Sequence, residues 1–162
     1  MPVYIALGSN LGDSIANIQC AFVELQGLSD KPIKKSSLWQ SAPVDCPPAS
    51  PDFINAVVAI EALPGETSES LLVKLQALEI EHGRQPKVAL NEPRVLDLDI
   101  IAFDKETRNT PQLTLPHPRW HQRRFVLEPL NEIASDAILP GQVQPVIRLL
   151  DAIDTGEILT RL

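Results

Sequence analysis

Val3-Tyr4-Ile5-Ala6-Leu7 runs straight into Gly8-Ser9-Asn10-Leu11-Gly12-Asp13. A short apolar run followed by a cluster of turn formers reads as a buried strand closed by a tight turn. Asp13 or Ser14 then caps a helix whose apolar residues Ile15, Ile18, Phe22 and Leu25 recur at helical spacing, and Gly27 stops it. The pattern repeats further on. Residues 33–41 read as a strand, and Phe53–Ile60 as another, broken by Pro64-Gly65. Thr67 caps a second helix with Leu71, Leu75, Leu78 and His82 on one stripe, ending at Gly83. Residues 96–103 form the next strand. The order is β-α-β-β-α-β, which predicts an α+β, ferredoxin-like sandwich. A doubly wound nucleotide fold needs more alternating units than the chain supplies. Additional short pieces are expected: a helix at 119–127 interrupted by Pro129, a second helical piece at 129–134, a small strand, a helix near 146–150 and an extended end. One domain is expected over residues 1–162.

Composition narrows the class. The chain has 162 residues, 44% hydrophobic and 22% charged, as in an ordinary globular protein. No apolar run reaches the ~20 residues of a membrane span. The first residues lack a basic region and a cleavage pattern, so export is not expected and a cytoplasmic location is. Two cysteines, Cys20 and Cys46, are too few for a disulfide framework or a cysteine zinc site. The net charge of −7 argues against nucleic-acid binding. That charge is unevenly placed. Residues 84–124 hold eight basic and five acidic side chains, a net of +3, so the remainder carries −10. A small anionic ligand met locally accounts for this, and so does a solvated charged surface. Fifteen prolines, about twice the usual ~5%, crowd the loops, with Pro43, Pro47, Pro48 and Pro51 in one stretch.

Asp97-Leu98-Asp99 is the sharpest chemical feature. Residues i and i+2 of a strand share a face, so both carboxylates project side by side with Cα atoms about 6–7 Å apart. Aspartate is disfavoured in strands, and two on one face suit Mg²⁺, which takes a few hard oxygen ligands and leaves the rest to water or phosphate. Arg84 and Arg94 lie in the loop just before this strand, over residues 84–94, and offer planar donor forks for phosphate oxygens. His117 is held in a Pro116-His117-Pro118 turn, with Arg123 just beyond. Phe53 and Asn55 share a strand face, where a ring and an amide can stack on and hydrogen-bond a planar heterocycle. Gly8-Ser9-Asn10-Leu11-Gly12-Asp13 is read as a structural turn, since it has neither the Walker nor the dinucleotide spacing.

Taken together these motifs resemble the 6-hydroxymethyl-7,8-dihydropterin pyrophosphokinase family. The resemblance runs through Tyr4–Asp13, Pro51–Val57, Glu79 to Arg84, Pro93–Ile100, Leu115–Arg119 and Arg123–Leu130. It implies transfer of the β,γ-pyrophosphoryl unit of ATP to the hydroxymethyl group of the reduced pterin, with release of AMP, in folate biosynthesis. It implies that Asp97 and Asp99 hold two Mg²⁺ ions, with Arg84, Arg94 and Asp97 in the catalytic set. Gln76, Glu79, Arg84, Arg94, Ile100, Thr114, His117 and Arg123 resemble the ATP site. Ser41, Ala42, Val44, Phe53, Asn55, Asp97 and Phe125 resemble the pterin site. The partners implied are these two small molecules, with no nucleic acid or membrane, and a monomer is expected. The sequence departs from the family at Asn91 and Glu92, where an aromatic residue and glycine are usual, and at Pro86, where many members carry a basic residue. Two other readings compete: a two-metal phosphohydrolase or nuclease built on Asp97 and Asp99, and a non-enzymatic interaction module that leaves those residues unexplained.

Overall fold

The structure, a computed structural model, describes residues 2–42, 51–84 and 93–162. β1 (Pro2–Ser9) is the central strand, between β4 (Phe53–Glu61) and β5 (Asp97–Phe103), antiparallel to both. The sheet continues from β4 through β3 (Trp39–Ser41) to β8 (Leu159–Arg161), while β2 (Lys34–Lys35) also pairs with β4. The strand order is β5-β1-β4-β3-β8. A mixed helical and antiparallel-sheet protein results.

The alternation along β1 decides where the cores lie. Val3, Ile5 and Leu7 point to one face, where they meet Ile18, Ala21, Phe22 and Leu25 of α1 (Ser14–Gln26) and Leu71 and Leu75 of α2 (Ser68–Glu81). Tyr4 and Ala6 point to the other face, where Val57 and Ile101 pack under Val126, Leu127 and Leu130 of α3 (Arg124–Ala134) and Val146 of α4 (Val146–Ala152). Both faces are thus covered, which is why β5 reads as continuously apolar from Ile100 to Phe103.

The caps are where the sequence put them. Asp13 accepts the Ala16 amide of α1, and Thr67 accepts the Ser70 amide of α2 while Ser70 Oγ accepts the Thr67 amide. Ile15, however, is 42% exposed, and the buried stripe of α1 runs instead through Ile18, Ala21, Phe22 and Leu25.

Several expectations need correction. The strand over 33–41 is split into β2 and β3. Ser36 Oγ accepts the Val57 amide at 2.9 Å, replacing a ladder acceptor by a side chain. Four steps from Lys35 to Trp39 then face three from Val58 to Asn55, the signature of a bulge. Pro129 does not divide α3. It lies inside the helix, which Val126, Leu127 and Leu130 hold together by packing at the cost of one hydrogen bond. The helix begins later than expected, after a short 3₁₀ turn at Trp120–Gln122. Between β5 and the 3₁₀ turn lies a small ladder of β6 (Arg108–Asn109) and β7 (Thr114–Leu115), and the extended end is strand β8.

Candidate active site

Register across the sheet assembles the site. Gly8 on β1 faces Asn55 on β4 and Asp97 on β5, and Ala6 faces Val57 and Asp99. Two small residues of the central strand therefore form a low floor between an amide on one side and two carboxylates on the other. A Cβ on Gly8 would stand 3.6 Å from the Phe53 ring and 3.8 Å from Asn55 Oδ1, filling space that the glycine leaves open. Above this floor is a cavity of about 420 Å³.

One end of the cavity is aromatic and amide in character. Phe53 and Asn55 of β4 and Ser41 of the adjoining β3 line it, and Ala42 and Phe125 line the same cavity. Asn55 is 4% exposed and its Nδ2 donates to Ser41 Oγ at 2.7 Å. That bond holds the side-chain amide in place, and an amide can both donate to and accept from a ligand. The Arg123 guanidinium lies 5.4 Å from the centre of the Phe125 ring, within cation–π range.

The other end is charged. Arg94, Asp97, Asp99, His117 and Arg123 line it. Asp97 Oδ1 accepts from Arg94 Nη1 at 2.8 Å and from Arg84 Nη1 at 3.2 Å. Arg84 also donates to Glu79 Oε2 at 2.7 Å, and the same oxygen accepts the Leu98 amide at 2.9 Å. Glu79, 6% exposed on α2, is thereby fixed to the start of β5. Burial first, then the negative charge of Asp97, pushes its carboxyl up to about 7, against the opposing pull of the Leu98 amide and Arg84. Asp99 is likewise pushed up to about 7, by burial and then by Asp97 and Glu79. Crowded carboxyls that resist ionisation together want a cation, and the hard oxygens of Asp97 and Asp99 fit Mg²⁺.

His117 is docked by its backbone amide, which donates to the Ile101 carbonyl of β5 at 2.8 Å. Its Nδ1 accepts the Arg119 amide at 3.1 Å, which places the ring proton on Nε2. Burial, with Arg123 and Arg119 nearby, pushes its pKa down to about 4, so the ring is a neutral donor at physiological pH.

The turn after β1 anchors the site. Asn10 Oδ1 accepts the Arg94 amide at 2.7 Å, its own amide donates to the Arg94 carbonyl at 3.0 Å, and its Nδ2 donates to Pro51 O at 3.3 Å. Gly12, at φ +76°, allows the turn.

The remaining expected residues fall elsewhere. Arg84 and Glu79 form the second layer described above. Gln76 is exposed on α2, Thr114 is half-buried on β7, and neither lines the cavity. The Ile100 side chain is 4% exposed in the core under α1 and α2. Val44, and Pro86, Asn91 and Glu92 with it, lie outside the described residues. The cavity adds Arg119, Gln122 and Glu157. Arg119 belongs to a motif already noted. Glu157 carries no local signal: it reaches the cavity from the C-terminal segment, accepting the Arg124 and Phe125 amides at the start of α3 at 3.2 and 3.4 Å.

A cleft that joins paired carboxylates and guanidinium groups to an aromatic–amide corner has the composition of a small-molecule phosphoryl-transfer site. The comparisons agree. The 7,8-dihydro-6-hydroxymethylpterin-pyrophosphokinase family matches residues 4–135, and the chain belongs to that family. It is 42% identical over 140 residues to the 2-amino-4-hydroxy-6-hydroxymethyldihydropteridine pyrophosphokinase of Haemophilus influenzae, covering 85% of this chain and 84% of that protein. It is 38% identical over 139 residues to the protein of the same name from Pseudomonas aeruginosa, covering 85% and 83%. Among solved structures, an HPPK-DHPS in complex with substrates superposes with a TM-score of 0.71 at 10% identity. That match covers 93% of this chain but 44% of the larger one, and shows likeness of fold.

Proposed function

We propose that the chain is an ATP- and Mg²⁺-dependent pyrophosphokinase that converts 6-hydroxymethyl-7,8-dihydropterin and ATP to the pterin diphosphate and AMP, in folate biosynthesis. The observation that carries this reading is the sharing of one cavity, across Gly8, by the Phe53–Asn55–Phe125 corner and the Asp97–Asp99 pair. A planar pterin at the first end presents its hydroxymethyl group towards the second.

In this reading Phe53 and Phe125 sandwich the ring, and Asn55, oriented by Ser41, hydrogen-bonds its polar edge. Arg94, Arg84 and Arg123 bind the phosphate oxygens, with the His117 Nε2–H as a neutral donor among them. The hydroxymethyl oxygen attacks the β-phosphorus, the bridge to the α-phosphate breaks, and AMP leaves. Asp97 and Asp99 would hold two Mg²⁺ ions, which would supply positive charge against the phosphate oxygens. Arg84 and Arg94 share Asp97 in this structure, and phosphate draws them from it. Gln76 and Thr114, together with the backbone at Ile100, serve ATP from beyond the cavity wall. The strand order is read as the ferredoxin-like split βαβ, with α3 and α4 added on the open face. The chain acts as one domain, as a monomer, in the cytoplasm. No helix among the described residues is long and apolar enough to cross a membrane.

ATP consumption that requires both Mg²⁺ and the pterin tests the reading. Asn55→Leu should raise KM for the pterin and leave KM for ATP unchanged. Pterin-independent consumption of ATP would contradict it.

A further inference from the structure

On the sheet face away from the cavity, α1 and the last turn of α2 bring three unlike donors together. Cys20 and Glu24, four apart on α1, share one helical face. His82, the C-terminal cap of α2, reaches across to them. His82 Nε2 is 2.6 Å from Glu24 Oε1, and Cys20 Sγ is 3.6 Å from the same oxygen. One ligand atom from each lies within 4.8 Å of the other two, and among the described residues this is the group of histidine, cysteine and carboxylate side chains that converges so closely. Cys20 is exposed, and the side chains of His82 and Glu24 are 13% and 25% exposed, so an ion has access.

We propose that Cys20, Glu24 and His82 form a second metal site, for Zn²⁺ or a similar divalent transition ion, chemically distinct from the Mg²⁺ site. One thiolate sulfur, one imidazole nitrogen and one carboxylate oxygen make a borderline-soft set that zinc accepts and magnesium does not. Tetrahedral zinc holds such donors roughly 3.5 Å apart. The sulfur–oxygen pair already has that spacing, and the nitrogen–oxygen pair opens by about 1 Å as the ion replaces the proton between them. The Cys20 thiol gives up its proton on binding, and the Nε2 proton of His82 moves to Nδ1 through solvent. Zn²⁺ then balances one thiolate and one carboxylate, with water in the fourth position. The ion ties α1 to the turn from which Arg84 departs, two residues after His82.

Co²⁺ titration of the full chain tests the site. A thiolate-to-cobalt charge-transfer band in the near ultraviolet, with strong visible bands of a tetrahedral ion, should saturate at one equivalent. Zn²⁺ should bleach it and raise Tm. Cys20→Ser should abolish the band while keeping the circular dichroism of the parent, and Cys46→Ser should retain it. Glu24→Gln and His82→Gln should each weaken Zn²⁺ binding by about an order of magnitude or more. Absence of the band in the parent chain, its survival in Cys20→Ser, or its loss in Cys46→Ser would overturn the proposal.

Discussion

Arg94 Nη1 lies 2.8 Å from Asp97 Oδ1, three residues along the chain, while Asn10 grips the Arg94 backbone through both its amide and its carbonyl. The arginine is therefore presented to the cavity by two independent constraints. Arg94→Ala should slow turnover by about 10³-fold or more, the scale of a guanidinium engaged with a transferring phosphoryl group. Its effect on Tm should be small, since partly exposed ion pairs contribute little to stability. Steady-state kinetics beside thermal melts separate the two, and an unchanged rate would remove Arg94 from the phosphate site.

The raised carboxyls predict an unusual pH profile. Glu79 and Asp99 keep a proton up to about pH 7 when folded and lose it at ordinary carboxyl pH when unfolded. The folded chain then binds more protons through that window, so their stabilisation is complete at low pH and lost as pH rises through about 7. His117 runs the other way: its contribution is present above pH 6.5 and is lost as pH falls through about 4. Two groups oppose one, and Tm of the metal-free protein should fall from about pH 5 to 7.5. Mg²⁺, which favours the ionised carboxylates, should flatten that fall, and Glu79→Gln should reduce it. A Tm that rises over the window would contradict the burial assigned to this pair.

The Arg119 amide on His117 Nδ1 fixes a tautomer that can be read directly. Imidazole ¹⁵N shifts at neutral pH should show Nε2 protonated and Nδ1 unprotonated, with a titration midpoint near 4. A midpoint near 6.5 would mean that the ring is solvated and not held among Arg119 and Arg123.

Ser36→Ala should cost about 1–3 kcal/mol in urea unfolding, because it strands the buried Val57 amide. Leu127→Ala, at a fully buried position under α3, should cost about 2–5 kcal/mol. Equal and negligible costs would mean that the bulge and the second core are not as described.

The core elements were legible because their signals are local. Asp13 and Thr67 announce their helices, and the strict alternation at Asp97 and Asp99 announces a shared face. The bulge at Ser36 was not, since a hydroxyl that replaces a ladder acceptor looks in sequence like any surface serine. Pro129 misled because propensity is local, whereas the packing of Leu127 and Leu130 that preserves α3 is tertiary. The small floor at Ala6 and Gly8 needed the register with Asn55 and Asp97 to gain meaning. Glu157 acts from the far end of the chain on the first amides of α3, and no spacing rule reaches that distance.

Which bond of ATP breaks separates pyrophosphoryl transfer from phosphoryl transfer and from hydrolysis. Phosphorus NMR and nucleotide chromatography of a reaction with ATP, Mg²⁺ and 6-hydroxymethyl-7,8-dihydropterin measure it directly. AMP and a pterin diphosphate should form in equal amounts, and both should be lost in Asp97→Ala and Asp99→Ala. Formation of ADP with a pterin monophosphate, or of inorganic phosphate without modified pterin, would contradict pyrophosphoryl transfer.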